Sequence, residues 1–338
     1  MKNANFALPE PCARLLWART WAPDGSAIES MLRLRADLLR RAGDSGLRTA
    51  LFYSAGWLVE WIEGDAAAVD SAWQQARPAA ASARLLHRST GARTLAEPVQ
   101  LASLHAGELA TDVARRLHHL MREHEQGWFA EPWEVWQALS APCQLGNALP
   151  LSALARRDVL ALASNDNAAV DLLRLLANAC GARVAYQRYA GSDLARGDVG
   201  AAYIDARSGG SAITRVQALS RRALAHDANF LGLRNLVRMV VLLDTDGRRA
   251  QALLDELRRH LQVLQRRVEI QVVSDGSAAP AVASAFGDLP GVQVSHLQAQ
   301  PNGGSALAAI TRWLAAPPGG DGSTCSRTDD ARDNLSTT

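Results

Sequence analysis

Ala50-Leu51-Phe52-Tyr53-Ser54-Ala55-Gly56-Trp57-Leu58-Val59-Glu60-Trp61-Ile62-Glu63-Gly64 decides the fold of the first hundred residues. Thr49 to Tyr53 and Trp57 to Ile62 are runs rich in aromatic and apolar side chains, and Ser54-Ala55-Gly56 between them is a hairpin signal. Upstream, Arg14 to Trp17 reads as a short first strand. Ser26 to Arg41 then places Ile28, Met31, Leu32, Leu34, Leu38 and Leu39 on one helical stripe. Downstream, Ala66 to Ala76 is a second helix, stopped by Pro78, and Arg84 to His87 is a last strand. Up to about Ser103 the order is strand, helix, strand, strand, helix, strand, an α+β ferredoxin-like arrangement.

The central run, with Glu60-Trp61-Ile62-Glu63-Gly64 followed by Ala67-Ala68-Val69, resembles the middle of BLUF domains, the flavin-based blue-light sensors. Arg14-Leu15-Leu16-Trp17-Ala18-Arg19 and Ala22-Pro23-Asp24 resemble that family's first strand and loop. The resemblance covers roughly residues 12 to 101. It implies a flavin cleft in which a first-strand tyrosine and a third-strand glutamine run the light response. Here Trp17 stands at the tyrosine position and Glu60, just before Trp61, at the glutamine position. An ionised glutamate only accepts hydrogen bonds, and an indole has no phenolic proton, so the family's amide switch cannot operate. The family's asparagine at the end of the first helix falls near Ala42 or Gly43. Its basic and histidine residues fall in Pro78-Ala79-Ala80-Ala81-Ser82, and its last-strand tryptophan and methionine near Glu97 and Val99. These replacements imply a closed cleft, with Glu60 at the surface or paired with Arg19 or Arg48. Trp17, Glu60 and Trp61 are the cofactor-site equivalents; no cofactor is expected, and FAD is the alternative.

From Glu108 to Gln126, Leu109, Val113, Leu117, Leu120 and Met121 recur at steps of three and four, which predicts a connecting helix with one narrow apolar face. Trp128, Phe129, Trp133 and Trp136 follow, with Pro132 opening another helix. This region is predicted to cover the face of the first sheet or to dimerise. Pro142 to Pro150 reads as a linker.

Beyond Asp158 apolar strands alternate with helices, as in an α/β three-layer, Rossmann-like domain. The predicted strands are Val159 to Ala163, Arg183 to Arg188, Gly200 to Ile204, Met239 to Leu243, Val268 to Val273 and Val292 to His296. Tyr189 to Val199 is too short for a crossover helix, so the second and third of these should pair antiparallel. The order resembles that of Ras-like P-loop GTPases over roughly Asp158 to Ala315. The loop where that family carries its phosphate-binding glycines and lysine is Ser164-Asn165-Asp166-Asn167-Ala168-Ala169-Val170, which has neither. Asp205, before Gly209 and Gly210, stands where the family has an acidic residue near its metal. Asp275 stands in the base-reading position, and for both a loop or capping role is the simpler expectation.

The domain organisation expected is 1–104 BLUF-like, 105–150 a helical aromatic-rich connector, 151–316 a GTPase-like α/β domain, and 317–338 a disordered tail. Composition agrees with soluble protein: 48% hydrophobic, 21% charged, 36 Lys+Arg against 34 Asp+Glu for a formal charge of +2. No like-charge block suits nucleic acid and no apolar run suits a membrane. Cys12, Cys143, Cys180 and Cys325 stand singly, which suits a reducing cytoplasm and gives neither a zinc motif nor a disulfide framework. His118, His119 and His124 lack metal-helix spacing and are expected to be solvated. No catalytic constellation emerges, so no enzyme is expected. The function expected is a cytoplasmic signalling adaptor working through protein partners, a homodimer through the connector among them. An FAD-binding photoreceptor and a residual nucleotide-binding switch are the alternatives.

Overall fold

The computed structural model describes residues 12–79, 82–105, 108–127, 131–145, 156–165, 167–208, 212–224, 236–264, 267–298 and 304–315. Its first half contains β1 (Cys12–Thr20), α1 (Ala27–Ser45), β2 (Arg48–Ser54), β3 (Trp57–Gly64), α2 (Ala66–Ala79), β4 (Arg84–Gly91) and β5 (Val99–His105). Helices α3 (Ala110–Glu125) and α4 (Pro132–Ser140) follow. The second half contains β6 (Arg156–Ala163), α5 (Ala168–Cys180), β7 (Ala185–Ala190), β8 (Val199–Ser208), β9 (Ala212–Leu219), α6 (Arg221–Leu224) and β10 (Leu236–Leu242). It closes with α7 (Gly247–Leu264), β11 (Val268–Ser274), α8 (Ala279–Phe286), β12 (Val292–Gln298) and α9 (Gly304–Ala315).

The twelve described strands belong to one sheet, in the order β12-β11-β10-β6-β9-β8-β7-β5-β2-β3-β1-β4. The β2–β3 hairpin turns at Ala55 (φ 43°) and Gly56 (φ 83°), two successive left-handed residues. That is the turn geometry whose twist matches flanking strands, and glycine meets it without strain. Strand β1 is antiparallel to β3 and β4, and β5 is parallel to β2. Strands β9, β6, β10, β11 and β12 run parallel to one another. Strands β7 and β8 pair antiparallel, as the short intervening segment predicts.

The two halves meet at β5, which pairs antiparallel with β7 from Leu101–Ala190 to His105–Tyr186. The sheet therefore runs unbroken past the boundary expected at residue 104. Two strands departed from the sequence reading. The strand pattern ends at Arg84 to His87 and misses β5, which the resemblance alone placed near Glu97 and Val99, and β9 together with the short α6 occupies ground where a crossover helix was expected. Both strands carry polar side chains inward, Gln100 and Ser103 in β5, Thr214, Arg215 and Gln217 in β9. A sheet buried on both faces loses the apolar–polar alternation by which strands are recognised.

Helices α1 and α2 cover one face of the first half and α3 and α4 the other. Val113, Leu117 and Leu120 of α3 are buried, as the stripe predicts, whereas Leu109 precedes the helix and is exposed. Pro132 does open α4. There Glu134 closes a capping box by accepting from the Glu131 backbone N–H at 2.8 Å. Trp136 is fully buried, edge-on to Phe52 at 4.7 Å and to Trp61 at 6.1 Å, so α4 does pack on the first-half sheet. Trp133 is half-buried; Trp128, Phe129, most of the expected linker and the tail beyond 316 lie outside the described residues. One apolar cluster runs along this face from Leu86 through Trp136 to Leu257 of α7 and Phe286 of α8. On the opposite face of the second half, α5 and α9 share a cluster with Leu173 and Ile310. No helix among the described residues is long and apolar enough to cross a membrane.

Candidate functional site

Alternation along a strand sends every second side chain to one face. Trp17 and Arg19 of β1 and Glu60 and Ile62 of β3 thus share the face under α1 and α2, and Trp17 lies directly across the ladder from Glu60. These side chains floor a cleft of about 580 Å³. Leu34, Leu38, Arg41 and Ala42 of α1 line it on one side and Ala68, Ser71, Ala72, Gln75 and Ala76 of α2 on the other. The expected closure is overturned: Trp17 adds bulk at the floor, but the alanines of both helices leave width between the walls.

Trp17 is 3% exposed and packs against Trp73 at 5.9 Å. Its Nε1 is buried and has no acceptor among the described residues. A buried N–H left without a partner costs about 1–3 kcal/mol. Glu60, half-buried beside it, is not a surface residue. Burial pushes its carboxyl up to about 7, with Arg19 acting weakly in the opposite direction. Near neutral pH that carboxyl exists in both forms, one that donates a hydrogen bond and one that only accepts. The two arginines expected as its partners are placed otherwise. Arg48 donates to the Leu95 and Ala96 carbonyls, and the Arg19 guanidinium lies 6.0 Å from the Trp17 ring.

Trp61 does not belong to this site. One residue along the strand from Glu60, it points to the opposite face, where its indole N–H donates to Glu63 Oε1 at 3.0 Å. Glu63 is fully buried and also takes Arg14 Nε at 2.7 Å and the Thr94 and Leu95 backbone N–H groups at 2.7 and 2.9 Å. Burial alone would raise its carboxyl, but these donors hold it below the usual range. The acidic residue of the recognised motif thus pins the loop after β4. Ala42 lines the cleft where the family's asparagine was expected, and Glu97 accepts from the Ser192 backbone N–H outside it.

The second-half candidates do not form a site. Asp205 lies within β8, 1% exposed, and is bridged by Arg215 Nε at 2.7 Å and Nη2 at 2.8 Å. Arg215 also lies over the Tyr203 ring at 4.4 Å and donates to the Ala141 and Pro142 carbonyls. This buried pair fixes the chain after α4 to the sheet and presents no carboxylate to a phosphate or metal. Asp275 is exposed and accepts from Ser277, while Asp166 lies outside the described residues. His119 pairs with Glu123 at 3.1 Å. His124, expected in solvent, instead lies tilted against the ring of buried His87, with centroids 4.9 Å apart. No cluster of three or more metal-ligating side chains occurs among the described residues.

Position parity along β1 and β3 was the available signal for Arg19 as a floor residue and against Trp61. The alanines of α2 carry no such signal, because their contribution is space.

No protein-family model and no curated protein matches the chain. Among solved structures, BlsA in its photo-activated state is similar over 36% of this chain and 86% of that chain, at 11% identity and a TM-score of 0.24. The BLUF structure of BlrP1 is similar over 41% and 95%, at 14% identity and a TM-score of 0.25. A bacterial light-regulated adenylyl cyclase is similar over 66% and 81%, at 12% identity and a TM-score of 0.26. BLUF proteins therefore resemble part of this chain weakly, at a level of overlap that carries no argument about its chemistry.

Proposed function

We propose that this chain is a sensory protein. Its first half takes a planar, acceptor-rich heterocycle between α1 and α2, and its output is a change of contacts rather than catalysis. The observation that carries the reading is the buried Trp17 N–H, unmatched at the floor of an open cleft. The cleft volume falls within the roughly 300–1,000 Å³ of small-molecule sites. Flavin, which the sequence resemblance implies, is the first ligand to test. The residues present suit its ring: Trp17 would donate to a ring carbonyl or nitrogen, Glu60 would donate when protonated, and Arg19 and Arg41 offer positive charge to a phosphate tail. A bound flavin would supply light absorption and redox chemistry. The chain itself supplies orientation, exclusion of water and one carboxyl proton, and without the tyrosine–glutamine pair no amide rearrangement follows illumination.

The test is titration of the full chain with FMN in the dark, followed by quenching of flavin fluorescence. Saturable one-to-one binding is expected, weakened about fivefold or more by Trp17→Phe through loss of one hydrogen bond. Blue light should leave the flavin absorption maximum unshifted. A colourless protein that quenches neither FMN, FAD nor riboflavin would remove the ligand reading, and a light-induced red shift would remove the claim about the switch.

A further inference from the structure

Helix α1, which forms one wall of the cleft through Leu34, Leu38, Arg41 and Ala42, carries a second buried polar group beside that wall. Arg35 is 4% exposed. Its side chain reaches the connection between β7 and β8, where Nη1 donates to the Gly191 carbonyl at 3.0 Å and Nη2 to the Arg196 carbonyl at 3.5 Å. Residues 191–198 are also anchored to the first half beside that contact. Glu97 accepts from the Ser192 N–H, while Ser192 Oγ accepts from Val99 N–H and donates to the Val99 carbonyl, both at 2.9 Å. A Cβ at Gly191 would meet the Glu97 carboxylate, which would have to move aside.

Arg35 makes no carboxylate contact among the described residues. Asp193, Asp198 and Glu97 act on it only through space, and its burial disfavours the charged form. A guanidinium held by carbonyls alone is costly to bury, and its hold depends on small distances. Leu34 and Arg35 are consecutive on a rigid helix, so a movement of the cleft wall is also a movement of this hydrogen-bonding group.

We propose that Arg35 is a latch through which occupancy of the α1/α2 cleft is transmitted to the β7–β8 connection. A body seated between α1 and α2 displaces α1, lengthens the Arg35 contacts to Gly191 and Arg196, and loosens residues 191–198. This regulation rests on the cleft being a binding site, and its test is arranged so that the two ideas fail separately. The readout is amide hydrogen exchange of residues 191–198 in the full chain.

In one arm Ala68→Trp, Ala72→Trp and Ala76→Trp together crowd the cleft without any ligand, and in the other FMN is added, with its binding followed independently by fluorescence. With Arg35 present, the filling variant should speed exchange in this segment about fivefold or more, the scale of ordinary site-to-site coupling. Combined with Arg35→Met it should add nothing, while Arg35→Lys should keep part of the response. A structural staple would make the segment faster in Arg35→Met alone but leave the increment from filling intact, and that result would overturn the latch. So would a filled cleft without any change at 191–198. If Arg35→Met does not fold, Ser192→Ala serves as the control. It loosens the segment from the β5 side, and the response to filling must survive it. FMN failing to bind while the filled cleft still acts through Arg35 would remove the ligand and leave the latch standing.

Discussion

Replacing Glu60 by Gln should stabilise the protein in a way that depends on pH. The carboxyl is raised from an ordinary value of 4.5 to about 7 by burial at the cleft floor. The folded state therefore holds this proton over a range in which the unfolded chain has released it. With more protons bound in the folded state, stability falls as pH rises from about 4.5 to about 7 and stays reduced above that. A displacement of this size corresponds to about 3 kcal/mol at about 1.4 kcal/mol per unit as a ceiling, and to about 1–3 kcal/mol once the partial solvent access of Glu60 is allowed for. Glutamine has nearly the same shape and no charge to desolvate. Urea unfolding of both proteins at intervals from pH 5 to pH 8.5, followed by far-ultraviolet circular dichroism, gives the difference directly. Every other titrating group is shared and cancels. The gap should be smallest at pH 5, and the glutamine variant should gain a further lead of about 1–3 kcal/mol by pH 8. A difference that does not vary with pH, or a variant less stable at pH 8, would refute the placement of Glu60 in a desolvated cleft.

His87 has the opposite sign. His87 is lowered to about 4 by burial, then by His124 and Arg14, so the wild type should lose up to about 3 kcal/mol as pH falls from about 6.5 to about 4. His87→Leu should flatten that acid limb in the same unfolding series. Gln100, 1% exposed, has neither amide atom hydrogen-bonded. Gln100→Leu should therefore raise stability by about 1–3 kcal/mol in urea, and a loss would refute this reading of its amide. Asp205→Asn removes the charge facing Arg215 and should cost about 3–5 kcal/mol. A fall in the urea midpoint without a change in slope would show that it acts on stability alone.

Legibility in the sequence followed the exposure of each face. The hairpin of β2 and β3, the stripe of α3 and the start of α4 were readable because apolar residues recur there at the period of the element. β5 and β9 were not, since Gln100, Thr214, Arg215 and Gln217 are buried and the polar positions that should mark solvent mark the interior instead. At the site, motif spacing pairs Trp17 with Glu60, which lie across the ladder from each other, whereas Trp61 falls on the other face because adjacent strand residues face opposite ways. Closure was inferred from side chains that were lost. Ala42, Ala72 and Ala76 contribute the volume those losses leave, and volume depends on where two helices stand, which no local pattern encodes.

The pairing of β5 with β7 bears on how the chain is made. When His105 leaves the ribosome, every strand of the first half has been synthesised, but β5 stands as an open edge until Ala190 completes β7. About 85 further residues separate those points, which at roughly 5–20 residues per second is roughly 4–17 s. Throughout that interval Val99-Gln100-Leu101-Ala102-Ser103-Leu104-His105, without a proline or a carboxylate, is available to any other nascent chain as a template. Production of this protein in quantity should therefore depend on translation rate and temperature more than its final stability suggests.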